Sequence, residues 1–501
     1  MNIPPPQSHN QISTQNGSNS QLEKVIDRYI IILKDQQNKI ISNEAALRTE
    51  EIIQSIKKDL SISEEQIIHQ YKYALKGFAV RLNSDKLELL KKDDRIDKII
   101  PDFKYKAIQI SSSSNSKPEQ LYLQSQNTPW GVARVGGPLD GTGKKAWILD
   151  TGIDLDHPDL NVDISNSASF VAELNADDGN GHGTHVAGII AAKNNSIGVV
   201  GVASNAEVVS VKVCDDGGYC YTSDVKAGID HIASNASSGD VANISLGWPV
   251  SVPGHPYIDL SLSILEGAIE NAADNGILFT IAAGNEFQHS NNKSPARMSY
   301  NNVYVVSAHD EYDTFASFSN YGNPPINFSN PGVDIYSLWK DGGLYTESGT
   351  SMAAPHLAGL LLASQNGITV DGYVNNDPDS NPDPIAIADK PLAVEIGGPG
   401  IINDGDTAYF NAHIQHAEGP VSYQWYYRIS ENHSWILESG ENQSSYSRTF
   451  YNPGNYETQY VKVEIQSNGE SATDIHQINV ISCDTNTPKS NDITPSDIKP
   501  C

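Results

Sequence analysis

Hydrophobic and polar positions divide this chain into three kinds of text. The first begins near Asp27. Arg28-Tyr29-Ile30-Ile31-Ile32-Leu33-Lys34 reads as a strand, and Ile52, Ile53, Ile56 and Leu60 then share one helix face. Tyr73 to Val80 predicts a second strand, Ser84 caps a short helix through Leu90, and Ile96 to Ile100 predicts a third strand. That order is a small ferredoxin-like α+β pattern. In the middle of the chain, uniformly apolar runs such as Ala146–Leu149, Gly276–Thr280 and Leu357–Ala363 predict elements buried on all sides. They point to α/β architecture around a parallel sheet flanked by helices. Toward the end the period shortens to two, in Tyr423-Gln424-Trp425-Tyr426-Tyr427 and Val461-Lys462-Val463-Glu464-Ile465, with Asn452-Pro453-Gly454 as a turn between them. An all-β, Ig-like sandwich follows from that alternation.

Polar stretches mark the joints. Residues 1–24 are rich in Asn, Gln, Ser and Pro and predict a disordered tail. The α+β unit occupies 25–107, a Ser-rich connection 108–128 and the α/β unit 129–370. Asn, Asp and Pro then crowd 371–389, which predicts a linker before the sandwich at 390–481 and a tail at 482–501. A chain of 501 residues accommodates three folded units. Its formal net charge of -28 argues against nucleic acid or anionic membranes as partners. No segment is long and apolar enough to span a bilayer. The four cysteines fall as two local pairs, Cys214 with Cys220 and Cys483 with Cys501, which fits an oxidising compartment. The first residues carry no charged and apolar leader pattern.

Chemistry enters where the apolar runs end. Gly349-Thr350-Ser351-Met352-Ala353-Ala354-Pro355-His356 sets one serine among small residues just before a buried helix. A hydroxyl there is uncrowded and lies among free backbone N–H groups, as acyl transfer requires. Such a serine needs a base, and the base a carboxylate. Ala146-Trp147-Ile148-Leu149-Asp150-Thr151-Gly152 delivers Asp150 at the end of a strand, and Asn180-Gly181-His182-Gly183-Thr184-His185 places His182 at a helix start. Asp154, Asp156 and Asp159 lie nearby but off the strand end. His185, three residues on, shares a helix face with His182, yet Gly183 stands where a zinc-protease helix needs glutamate. Ile281-Ala282-Ala283-Gly284-Asn285-Glu286 supplies a fourth block.

These blocks resemble the motifs of the subtilisin-like serine proteases, in that family's order of Asp, His and Ser. The resemblance implies a subtilisin-like fold and a serine endopeptidase with Asp150, His182 and Ser351 as triad and Asn285 as oxyanion donor. It implies walls for the substrate's P1 side chain at Ser245-Leu246-Gly247 and Ala282-Ala283-Gly284, with Gly217 on the flanking substrate strand. Glu286 would stand at the rim of that pocket, either favouring a basic or polar P1 group or simply exposed. The floor would lie near Lys293-Ser294-Pro295-Ala296, where the match is looser. A structural calcium is implied, held by Gln126, Asp159 and Asn195 side chains and Lys193, Ile197 and Val199 carbonyls; the chemistry needs no cofactor. Residues 25–107, with Leu75-Lys76-Gly77-Phe78-Ala79, resemble the family's inhibitory propeptide, so the chain would be a self-cleaving zymogen with a mature start near Ile108 or Ser125. Expected partners are polypeptide substrates and the chain's own propeptide. A monomer, secreted or cell-surface, is expected, because an uncontrolled endoprotease is hazardous inside a cell.

Overall fold

The computed structural model describes residues 22–34, 42–106, 118–120, 125–173, 175–364, 367–389, 393–415, 420–438, 442–451, 457–467 and 470–481. Residues 1–21, Ile108, the Asn452–Gly454 turn, and Cys483 with Cys501 in the tail 482–501 lie outside the described residues. Two compact units divide the chain at Asp389.

The first unit opens with an antiparallel sheet ordered 96–106, 22–33, 77–81, 67–71, with helices Asn43–Asp59 and Ser84–Leu90. Ile31, Leu33, Ile53, Ile56, Phe78 and Val80 close its core, so the ferredoxin-like pattern is realised. Details differ. The first strand starts at Leu22, inside the stretch read as tail, because Leu22, Glu23 and Lys24 pair with Tyr105, Lys104 and Phe103. Tyr73–Val80 is not one strand: residues 72–76 turn, and strands Ile67–Tyr71 and Gly77–Arg81 flank them. The cap of the second helix is Asn83, whose side chain accepts from Lys86 N at 3.0 Å, and Ser84 is the first helical residue.

The central sheet runs 368–373, 384–388, 326–331, 303–309, 278–282, 241–244, 145–150, 207–212, 161–162. Every pairing is parallel except the outermost, between 368–373 and 384–388. The region 371–389 is therefore no linker. Ile385, Ala386 and Ala388 are buried and carry the sheet one strand further. Along Lys145–Asp150, Trp147 and Leu149 face helices Thr222–Asn235 and Ile258–Ala273, whereas Ala146 and Ile148 face helices His182–Ala191 and Thr350–Ala363. Burial on both faces explains the uniformly apolar text. The N-terminal sheet packs on the first of these faces, through Leu22, Ile30, Tyr71, Ile100 and Phe103. Cys214 and Cys220 form a disulfide beside it.

The second unit places a sheet of 393–397, 407–415 and 445–449 against one of 401–403, 470–481, 457–467, 422–428 and 436–437. Phe410 and Tyr446 from the first meet Trp425, Val461 and Val463 from the second in one core.

Candidate active site

Three strand ends and two helix starts converge at the carboxyl edge of the central sheet. Asp150 is the last residue of its strand and fully buried. Its Oδ1 accepts from Thr151 N at 2.7 Å, and His182 Nδ1 lies 2.8 and 3.0 Å from the two carboxylate oxygens. The close approach needs glycine: a Cβ on Gly183 would stand 2.0 Å from the Gly152 carbonyl oxygen. Asp178 fixes the helix start by accepting from Gly181 N at 2.9 Å and Thr184 N at 3.0 Å. Burial alone would push the His182 imidazole down, but the carboxylates of Asp150, Glu347 and Asp178 outweigh it and hold it up at about 9. Glu347, buried beside them, is itself pushed up to about 7 by desolvation.

Ser351 occupies the first turn of helix Thr350–Ala363. Its Oγ donates to the Ser245 carbonyl at 3.3 Å, and no hydrogen bond joins it to His182. Ser245 Oγ returns a bond to the Ser351 carbonyl at 2.9 Å and receives one from Asn243 Nδ2 at 2.9 Å. Asn285 Oδ1 accepts from Thr350 N and Thr350 Oγ1, both at 2.9 Å. With the oxygen tied down, the amide Nδ2 is the end left to face the serine; it lies 3.3 Å from where a Cβ on Gly349 would stand. An acid-oriented histidine, with a serine at a helix N-terminus held just past the strand next to the acid's own, is the equipment of a serine hydrolase.

His185 turns away from this chemistry. Its Nε2 reaches the Ile335 and Tyr345 carbonyls, both at 3.1 Å, and burial lowers it to about 3. Leu246, Ala282 and Ala283 are buried, and Gly284 adopts φ 104°, which a side chain would strain. Gly217 sits in a turn, its N–H donating to Asp215 Oδ1 at 3.0 Å. The neighbouring strand Tyr219–Tyr221 pairs antiparallel with the end of the N-terminal sheet, Tyr219 with Lys106 and Cys220 with Tyr105. Glu286 is not a lone rim acid: its Oε1 accepts from Lys293 Nζ at 2.8 Å.

The six residues expected at calcium also meet. Gln126 Nε2 donates to the Lys193 carbonyl at 2.7 Å and, more weakly, to that of Val199 at 3.4 Å. Asn195 joins Asp159 Oδ1 at 2.5 Å and accepts from Ile197 N at 2.7 Å. Burial raises the Asp159 carboxyl to about 6. The Gln126 and Asn195 amides present their nitrogens to these groups; with the amides turned, one carboxylate, two amide oxygens and three carbonyls would make an all-oxygen set for a hard cation.

Residues 141–369 match the subtilase family, and residues 28–107 match the peptidase inhibitor I9 family. Alkaline protease from Alkalihalobacillus alcalophilus is 35% identical over 352 residues, which cover 68% of this chain and 81% of that one. Subtilisin BL from Lederbergia lenta is 43% identical over 242 residues, 47% of this chain and 83% of that one. Alkaline serine exoprotease A from Vibrio alginolyticus is 33% identical over 348 residues, 67% of this chain and 60% of that one. The chain belongs to the subtilase family. It has the subtilisin-like fold and is a serine endopeptidase made as a zymogen with an inhibitory propeptide.

Proposed function

We propose that Ser351 is the nucleophile, His182 its base, Asp150 the carboxylate that orients the base, and Asn285 an oxyanion donor. The supporting observation is the buried Asp150–His182 pair, at 2.8 Å, with Ser351 held to Ser245 just past the strand that pairs with the one ending in Asp150. With Nδ1–H donated to Asp150, the imidazole keeps Nε2 as the proton acceptor. Ser351 Oγ would rotate from the Ser245 carbonyl to Nε2, lose its proton there and attack the scissile carbonyl. The tetrahedral oxyanion would take hydrogen bonds from Asn285 Nδ2 and Ser351 N. Collapse gives an acyl-enzyme and returns the proton from His182 to the leaving amine; water then repeats the sequence. Ser245–Gly247 and Ala282–Gly284 would wall the P1 pocket, and the edge at Gly217 to Tyr221 would pair with extended substrate.

Residues 25–107 would act as an inhibitor in cis. The Tyr105–Lys106 end itself lies antiparallel to Tyr219–Cys220, on the edge a substrate would use. Self-cleavage is the first turnover in this reading. Gln126, Asp159, Lys193, Asn195, Ile197 and Val199 would hold a calcium ion that neutralises the buried Asp159 and ties the loop to the helix after His182. The sandwich at 390–481 would be an Ig-like accessory domain, and the Cys214–Cys220 disulfide supports a secreted or cell-surface enzyme.

Intact mass over time, for the purified chain beside Ser351→Ala, tests the reading. The wild type is expected to lose an N-terminal fragment of roughly a hundred residues while Ser351→Ala stays whole, with about 10⁶ lost from kcat on casein. Processing or casein hydrolysis by Ser351→Ala would overturn the assignment.

A further inference from the structure

An ion pair lies between the two proposed walls of the P1 pocket. Lys293 Cε is 3.8 Å from where a Cβ on Gly247 would stand, and Glu286 Oε2 is 2.8 Å from where one on Gly284 would stand. Lys293 Nζ and Glu286 Oε1 are joined at 2.8 Å, so the pair bridges one wall to the other. Backbone fixes both ends. Pro249 and Trp248 pair antiparallel with Lys293 and Ser294, which turns the wall after Gly247 into the floor. Asn320, wholly buried, accepts from Glu286 N at 3.1 Å and donates through Nδ2 to Glu286 Oε2 and to the Ala283 carbonyl, both at 2.9 Å.

The two partners are placed unequally. With the Tyr105 segment in place, as a P1 residue would be during turnover, the Lys293 side chain is 6% exposed and the Glu286 side chain 41%. Among the described residues, the ammonium has no hydrogen-bond acceptor but Glu286, with the Tyr105 ring 5.5 Å away. A buried ammonium stripped of its counter-charge is strongly disfavoured, whereas a half-exposed carboxylate released from its partner is taken up by water. The pair thus has a fixed member and an exchangeable one.

We propose that Lys293 reads the P1 side chain, with Glu286 as its removable counter-ion, and that the enzyme favours peptide bonds after acidic residues, glutamate first. The inference rests on the reading of Ser245–Gly247 and Ala282–Gly284 as the pocket walls. A P1 glutamate takes the place of Glu286 on Nζ, Glu286 keeps Asn320 and turns outward, and the ammonium is never left alone. A P1 arginine brings a second cation to a carboxylate already shared. A P1 phenylalanine must cover a charged pair to which it offers no hydrogen bond. Discrimination therefore comes from exchange toward the acid and from mismatch toward the others.

The test uses the matured full chain, Glu286→Gln and Lys293→Ala on succinyl-Ala-Ala-Pro-Xaa p-nitroanilides, with Xaa as Glu, Gln, Phe or Arg. Reactive Ser351 is counted with a fluorophosphonate label. Wild type is expected to favour Glu over Arg by about tenfold or more in kcat/KM. Glu286→Gln, at the half-exposed end, should raise the Glu value several-fold and lower the Phe value, since Phe would then cover an ammonium without its counter-charge. Lys293→Ala should reverse the order of Glu and Arg. Labelled enzyme that cleaves after Phe or Arg best, with its Glu value unmoved by Glu286→Gln, overturns the pocket inference and leaves the catalytic reading standing. Absence of both label and turnover overturns the catalytic reading, and this inference with it.

Discussion

Two sets of buried carboxylates lie on opposite sides of the same sheet edge. At the active site, Asp150 and Asp178 are satisfied by groups a short distance along their own domain: Thr151 N, His182 Nδ1, Gly181 N and Thr184 N. At the join with the inhibitory sheet, most partners come from the other segment, the Asp102–Arg28 pair being internal to the inhibitory one. Asp102 accepts from Ser223 N at 3.0 Å and Thr222 Oγ1 at 2.7 Å, at the start of helix Thr222–Asn235, and pairs with Arg28 at 2.6 Å. Asp224 pairs with Arg28 and, at 2.8 Å, with His69. Asp230 accepts from the N–H groups of Lys72, Tyr73, Ala74 and Leu75. The first set is built to persist through turnover. The second serves two segments that must part, and each of its charges then returns to water. Similar chemistry thus makes a permanent site in one place and a releasable clasp in the other.

Breaking each side separately sharpens the contrast. Asp150→Asn should keep the fold but leave His182 in the wrong tautomer, with kcat falling about 10⁴-fold, the loss expected when only the acid of a Ser-His-Asp triad becomes an amide. On the other side, Arg28→Ala removes the cation shared by two carboxylates that are almost wholly buried. In the uncleaved Ser351→Ala background it should cost about 3–5 kcal/mol of zymogen stability, read by urea unfolding, while matured enzyme keeps its kcat. Calcium removal should act on both forms: chelation is expected to lower Tm by several degrees, and an unchanged value would sink the site built on Asp159 and Asn195. The smallest effect concerns pH. His182 must be neutral to accept a proton, and nearby carboxylates hold its proton on up to about 9. Removing one of those charges lowers that value, so Glu347→Gln should move the acid limb of kcat/KM to lower pH, by about one unit or less. A limb that stays put, or moves upward, would exclude Glu347 from the field at His182.

The sequence made the permanent site far more legible than the clasp. Asp150, His182, Asn285 and Ser351 each follow or open an apolar element, so the pattern that predicts the element also locates the residue. Asp102, Asp224 and Asp230 sit in ordinary polar positions, and the packing of helix Thr222–Asn235 on the inhibitory sheet supplies most of their partners. Tyr73–Leu75 look like strand because they are apolar, yet a carboxylate from elsewhere holds them as a turn. Glu286 reads as a free acid because its partner comes from the loop segment around Lys293, where the resemblance is loosest. At 371–389, dense Asn, Asp and Pro mask the short apolar Ile385–Ala388.

That last hairpin bears on how the molecule behaves in a crowded solution. A parallel sheet that stopped at strand 326–331 would offer neighbours a bare row of backbone donors and acceptors, an invitation to stack chain upon chain. Strand 384–388 takes that row, and the reversed strand 368–373 closes it with Asp371 salt-bridged to Arg134 and Gly372 at φ 80°. A chain ended at 370 would expose the row again and is expected to aggregate, whereas one ended at Asp389 keeps its edge sealed.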